Sequence, residues 1–178
     1  MFRRIGVTGA AAEVYRESIY QFIQQRRPQV ACFLTTTQQS GQPVTRQVGS
    51  FLEGWRVGTI TEPNSVKVAH IRRNPLVSYL WVELAAAERG PARNVVLLGE
   101  CAIDDDPERV HAFFVRRAEA RGWPAPERRD NRWLLWTTPH QVRAEGWVGG
   151  ETPAILTTFP TTLGDWGDAP PSAGRSTG

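Results

Sequence analysis

The run Val30-Ala31-Cys32-Phe33-Leu34-Thr35-Thr36, the turn Gln39-Ser40-Gly41-Gln42, the run Pro43 to Leu52, the tight turn Glu53-Gly54 and the run Trp55 to Ile60 read as three strands in succession. Each run is short, rich in β-branched and aromatic residues, and bounded by turn chemistry. A parallel pair needs a crossover of a dozen or more residues, and these connections are too short for one. The three strands are therefore antiparallel, which predicts a meander and excludes a doubly wound parallel sheet.

Working toward the C-terminus, Asn64 to Arg73 reads as a short helix stopped by Asn74-Pro75. Leu76 to Glu83 is a strand, Leu84 to Ala92 a loop, and Asn94 to Ile103 a long strand. Asp104-Asp105-Asp106-Pro107 supplies an acidic cap and a first-turn proline for a helix running to about Arg121. That helix is expected to bury Val110, Phe113, Phe114 and Ala118, and strands at Trp133 to Thr137 and Gln141 to Trp147 follow. Toward the N-terminus, Val14, Tyr15, Ser18, Ile19, Phe22 and Ile23 recur at helical spacing within Ala11 to Arg27. Gly6-Val7-Thr8-Gly9 lacks both a third glycine and a preceding buried strand, so it is no dinucleotide loop. Six or seven antiparallel strands of this length remove their exposed edges by closing, so the expected architecture is a small β-barrel with peripheral helices. The barrel occupies residues 1–147 as a single domain. Ten of the thirty residues from Gly149 to Gly178 are Gly or Pro, so 148–178 is expected to be a tail with little structure of its own.

At 178 residues, 40% hydrophobic and 22% charged, the chain can bury a core, and wholesale disorder is excluded. No uncharged stretch is long and apolar enough for a bilayer span, and Met1 to Tyr20 has no apolar signal core, so a cytoplasmic location without a membrane partner is expected. Cys32 and Cys101 lie in strand-like runs without metal spacing and read as buried thiols. His70, His111 and His140 are scattered, with no ligand spacing, and read as surface or helix-face residues. Twenty of the 21 basic residues are arginine, several in pairs at the ends of expected helices, and none forms a run interleaved with aromatics. Nucleic acid is thereby excluded as a partner.

Lys67 is the one lysine, and it falls in Ile60-Thr61-Glu62-Pro63-Asn64-Ser65-Val66-Lys67, where a strand turns into a helix. The first N–H groups of that helix point outward with the positive end of its dipole, and Thr61 and Ser65 add hydroxyls beside them. A cation in a first turn is unfavourable unless an anion binds there. Arg46 shares a strand face with Val44 and Val48, where a guanidinium needs an anionic partner, and no acid lies between Gln29 and Leu52. A phosphate between Arg46, Lys67 and the helix start would satisfy all three, each charge pair contributing roughly 4 kcal/mol before desolvation costs. Arg46, Thr61, Ser65 and Lys67 are thus the candidate anion site.

Residues Val30 to Asp106 resemble the FMN-binding split β-barrel family that includes pyridoxamine 5'-phosphate oxidase and related flavin- and deazaflavin-dependent oxidoreductases. The resemblance rests on Gly41-Gln42-Pro43, Arg46-Gln47-Val48, Ser65-Val66-Lys67, Asn74-Pro75, Gly99-Glu100-Cys101-Ala102 and Asp106-Pro107-Glu108. It implies a homodimer with flavin mononucleotide (FMN) at the subunit interface and a small-molecule substrate. Arg46 and Lys67 would hold the phosphate with Thr61, Ser65 and the Val66 segment. Gln47, Val48 and Ile60 would lie along the ring system, with Asn94 and Arg93 reaching toward it. No catalytic side chain is identified. Two departures thin the phosphate cradle: Val66 stands where the oxidase has an arginine, and Phe51 where a lysine is common. The oxidase's substrate-binding Arg-x-His has no counterpart after Trp133, which argues against pyridoxamine phosphate as substrate. A deazaflavin coenzyme is therefore the alternative cofactor, and a non-catalytic flavin- or haem-binding stress protein the alternative role.

Overall fold

The computed structural model describes residues 10–25, 29–84, 93–120, 122–128, 131–147 and 156–160. In chain order the elements are α1 (Ala10–Gln24), β1 (Val30–Thr37), β2 (Pro43–Gln47), β3 (Phe51–Glu53), β4 (Arg56–Thr61), α2 (Val66–Arg73), β5 (Leu76–Glu83), β6 (Asn94–Asp104), α3 (Pro107–Glu119), β7 (Trp133–Glu145) and β8 (Leu156–Pro160). The strands form one antiparallel sheet in the order β2-β1-β5-β6-β7-β4-β3, with β8 paired to β7. The split β-barrel with peripheral helices expected from the sequence is the architecture found.

The curl of the sheet follows from its connectivity. β2 and β3 lie at opposite ends of the strand order, yet only residues 48–50 join them. A link that short spans at most about 14 Å, so the two ends of the sheet must come round toward each other. Side chains bridge the interior accordingly: the Thr59 and Tyr79 hydroxyls, from β4 and β5, are 2.9 Å apart, and the Trp81 indole N–H donates to Ser50 Oγ at 3.0 Å. Alternation along the strands sends Leu34, Tyr79, Trp81, Val95, Leu97 and Leu135 inward, all essentially solvent-free. Ile19, Phe22 and Ile23 of α1 join this core at their helical spacing. A second cluster, Phe51, Val110, Phe113, Leu134 and Trp136, seats α3 on the sheet.

Three details differ from the sequence expectation. The run Pro43 to Leu52 is two strands, because the chain leaves β1 after Val48 N–H donates to Cys32 C=O and pairs next with β4. The last two expected strands are one, β7, in which Pro139 is accommodated opposite Gly99 at a register shift between Leu98 and Gly99. A Cβ on Gly99 would meet Thr138 C=O at 2.4 Å, so only glycine lets the strands approach there. The tail also contributes a strand, β8, against Gln141 to Glu145. At its C-terminal end α1 stops at Gln24, and the expected continuation to Arg27 reaches residues 26–28, which lie outside those described, as does most of the expected loop at 84–92. Among the described residues no helix is long and apolar enough to cross a membrane.

Candidate functional site

β4 ends at Thr61, and a turn closed by Ser65 N–H donating to Glu62 C=O (3.1 Å) starts α2 at Val66. Ser65 takes the N-cap position with extended backbone (φ −71°, ψ 142°), yet its hydroxyl makes no capping bond to the helix. It lies 2.7 Å from Thr61 Oγ1 instead. Serine at this position ordinarily accepts from the second or third helical N–H. Here the third helical N–H, that of Val68, donates to the Ser65 backbone C=O at 2.9 Å and the hydroxyl accepts from neither, and the first turn carries no acidic residue. Val66, at 63% exposure, presents its side chain to solvent, so only its backbone belongs to the helix mouth.

Arg46, half-buried on the inward side of β2 beside Val44, is tied to α2 through the Thr36 hydroxyl, which stands between its guanidinium and His70. Burial, then the Arg46 charge, push the Lys67 ammonium below its usual lysine range, while Glu62 acts the other way. Glu62 is itself taken up by Arg132, whose Nη1 donates to Oε1 at 2.6 Å. Among the described residues neither Arg46 nor Lys67 has a carboxylate within ion-pair distance. A lysine in a first helical turn, two hydroxyls beside it and a helix start without a side-chain cap are features that an anion would complement.

Arg46 Nη1 donates to Thr36 Oγ1 at 3.0 Å, and Thr36 Oγ1 lies 2.9 Å from His70 Nδ1. Thr36 and His70 are 1% and 5% exposed. The sequence reading placed His70 on a surface or helix face; α2 instead buries it with Val68 and Ile71. Its position one turn after Lys67 was the available signal.

Gln47 and Val48 line a cavity of about 530 Å³ together with Cys32, Gly49, Ser50 and Arg117. Desolvation pushes the Cys32 thiol up to about 12 against a hydrogen bond with Ser50, so it stays protonated and unreactive near neutral pH. Ile60 packs beside the second core cluster and pairs with Leu134. Arg93 and Asn94 are not brought to the Arg46–Lys67 group. Arg93 makes a two-pronged ion pair with Glu83 (3.1 and 2.8 Å) and lies over the rings of Phe22 and Trp147. Asn94 donates to Glu145 Oε2 at 3.0 Å. The strand row through Arg46 crosses β6 at Leu97, three positions from Asn94 and so on the opposite sheet face.

The family model for pyridoxamine 5'-phosphate oxidase matches residues 16–146. Among solved structures, a conserved hypothetical protein from Mycobacterium tuberculosis is 21% identical, covers 86% of this chain and 100% of its own, and superposes with a TM-score of 0.61. A pyridoxamine 5'-phosphate oxidase-related, FMN-binding protein from Nostoc punctiforme is 20% identical over 82% of this chain and 86% of its own, with a TM-score of 0.54. An F420 reductase is 19% identical over 68% and 93%, with a TM-score of 0.52. At such identities the likeness establishes the fold. None of the curated proteins compared with the chain matches it.

Proposed function

This chain belongs to the pyridoxamine 5'-phosphate oxidase family, and from that premise we propose that it is an FMN-dependent oxidoreductase acting on a small molecule. Arg46, Lys67, Thr61, Ser65 and the backbone of the Val66 turn hold the cofactor's phosphate, while Gln47, Val48 and Ile60 flank its ring. The observation that carries this reading is the start of α2, where the Ser65 hydroxyl makes no capping bond and Lys67 stands in the first turn, with Arg46 linked to the same helix through Thr36 and His70. A phosphate ester answers both charges, and arginine grips it through paired hydrogen bonds. FMN, when bound, supplies hydride or single-electron transfer. The chain's residues anchor the phosphate and orient the ring, and no side-chain acid or base is assigned. The cytoplasm is the expected compartment, and a homodimer with cofactor between its subunits is the expected assembly.

A deazaflavin coenzyme is the second reading. It is favoured by the fate of the two positions where the resembling oxidase carries further cations. Val66 is exposed, and Phe51 is stacked on Phe113 at 4.2 Å between ring centroids, committed to the second core. The structural neighbour named an F420 reductase fits the same reading.

The test is the mass of the small molecule extracted from purified protein, followed by FMN titration of an Arg46→Ala/Lys67→Ala variant. The expected result is FMN, with affinity lowered at least about a hundredfold when two charge-assisted contacts are removed. Unchanged affinity refutes the residue assignment, and extraction of a deazaflavin alone selects the second reading. A bound flavin that neither nicotinamide donor reduces would favour a carrier role.

A further inference from the structure

We propose that His70 is a positioning residue for the anion site: from beneath α2 it accepts the Thr36 hydroxyl proton, which turns the Thr36 oxygen toward Arg46 and fixes the guanidinium for a phosphate ester. The inference rests on the phosphate-site reading above and adds residues to it.

Donor counting fixes the first bond of the relay, and the tautomer of His70 sets the second. A guanidinium can only donate, so Thr36 Oγ1 is the acceptor of the 3.0 Å bond from Arg46 Nη1. The hydroxyl has a single proton, and His70 Nδ1 stands 2.9 Å away. Directing that proton to Nδ1 leaves the oxygen's lone pairs to Arg46 and requires a bare Nδ1, with the ring proton on Nε2. The surroundings favour a neutral ring, and of its two tautomers the one protonated on Nε2 is the one that lets Thr36 donate. Burial, then Arg46 from β2 and Arg73 from α2 itself, hold the imidazole below its ordinary pKa. β1 contributes only the Thr36 hydroxyl, and no charge acting on the ring is assigned to β6, the other strand against α2. A protonated ring would turn an N–H toward the hydroxyl and add a third positive charge to the Arg46–Lys67 pair.

Burial gives the relay its function. Thr36 and His70 are 1% and 5% exposed, so water is poorly placed to replace either partner. Arg46 sits on an edge strand whose outward residues, Thr45 and Gln47, are exposed. Its reach into the site is set by one directional contact to a rigid inner strand. An arginine anchored in this way presents its remaining N–H groups in one orientation, which is what a phosphate clamp needs.

The experiment titrates FMN and riboflavin, which differ by the phosphate, into wild type, Arg46→Ala, Thr36→Val, His70→Leu and His70→Asn, with the melting temperature of each recorded. Asparagine is chosen because its amide oxygen stands close to where Nδ1 was. Expected is an FMN affinity about tenfold weaker in Thr36→Val and His70→Leu, unchanged riboflavin affinity, and recovery to within about twofold of wild type in His70→Asn. Thr36→Val, which preserves volume, keeps the test valid should His70→Leu fail to fold. Unchanged FMN affinity in Thr36→Val while Arg46→Ala still weakens it overturns the relay and leaves the phosphate site standing. Parallel loss of FMN and riboflavin, or no recovery in His70→Asn, reduces His70 to a structural residue and also overturns it. A wild type that does not distinguish FMN from riboflavin overturns the site and the relay together.

Discussion

At the scale of single residues, Lys67 shows how a binding site stands against folding. Its pKa lies below the usual 10.5, first by burial and then by Arg46. A lysine depressed in the folded state binds its proton less readily there than in the unfolded chain. Folding without an anion is therefore penalised wherever Lys67 is charged, and the penalty lifts as pH rises through the depressed value toward 10.5. Lys67→Met removes the penalty and the phosphate contact together. Urea denaturation at pH 7 without cofactor should show the variant no less stable than wild type, the difference narrowing as pH rises through the depressed value and closing by about 10.5. Its FMN affinity should fall about 10- to 100-fold with the loss of a charge-assisted contact. A cofactor-free variant clearly less stable than wild type would mean that Lys67 is a structural cation. Arg46 and Lys67 were legible in the sequence because each violates a local rule: one is a charge on an apolar strand face, the other a cation in a first helical turn. Thr36 and His70 violate none, since a threonine in a strand and a histidine in a helix are ordinary. Their role exists only once β1, β2 and α2 meet. The partners of Arg93 and Asn94, Glu83 and Glu145, were not legible, because they lie across strand pairings that no local pattern discloses.

At the scale of elements, strand existence was readable and strand partnership was not. Val44, Arg46 and Val48 alternate into Ser50 and Leu52 without a break, so nothing in the period marks Gly49 as the point where the chain changes edge. Pro139 marks a break where β7 continues, because Gly99 across from it has no side chain to clash. The β3–β4 hairpin offers a direct test of how such close approaches hold α3. Phe51 lies across Gly58, where an added Cβ would sit 1.9 Å from ring atom Cε2. The ring cannot retreat freely, being stacked on Phe113 and edge-on to Trp136 at centroid distances of 4.2 and 5.6 Å. Gly58→Ala should therefore cost about 1–3 kcal/mol by overpacking, measured by urea denaturation. Phe51→Leu in the same background should recover part of that cost, because a smaller side chain concedes the space. A Gly58→Ala variant as stable as wild type would show that α3 and its aromatic cluster shift without resistance.

At the scale of the whole molecule, the barrel's outer face argues for a second copy. Inward residues of β5 and β6 are sealed, yet the alternate positions place Leu76 at 58% and Leu98 at 38% exposure, with Leu80 and Val96 half-buried and paired to each other. These four lie on one face of two neighbouring strands, extended onto β1 by Phe33 opposite Leu80. Gln47 shares that face, through its pairing with Phe33, whereas Arg46 faces inward. A contiguous apolar strip of this kind on a soluble surface is more stable covered than wet, and self-association covers it with a like strip across a two-fold axis. A charge placed in its middle should be tolerated by an isolated barrel, where Leu98 is exposed, and rejected by a paired one. Leu98→Glu is therefore expected to leave the melting transition cooperative while halving the mass found by sedimentation. If the cofactor lies between subunits, FMN affinity should fall with dimer occupancy, so that raising protein concentration restores it. A wild type sedimenting as a monomer would reject the pairing. A dimeric Leu98→Glu variant with wild-type affinity would move the interface to another face of the barrel. Loss of the dimer with no loss of FMN affinity would place the whole cofactor site within one chain.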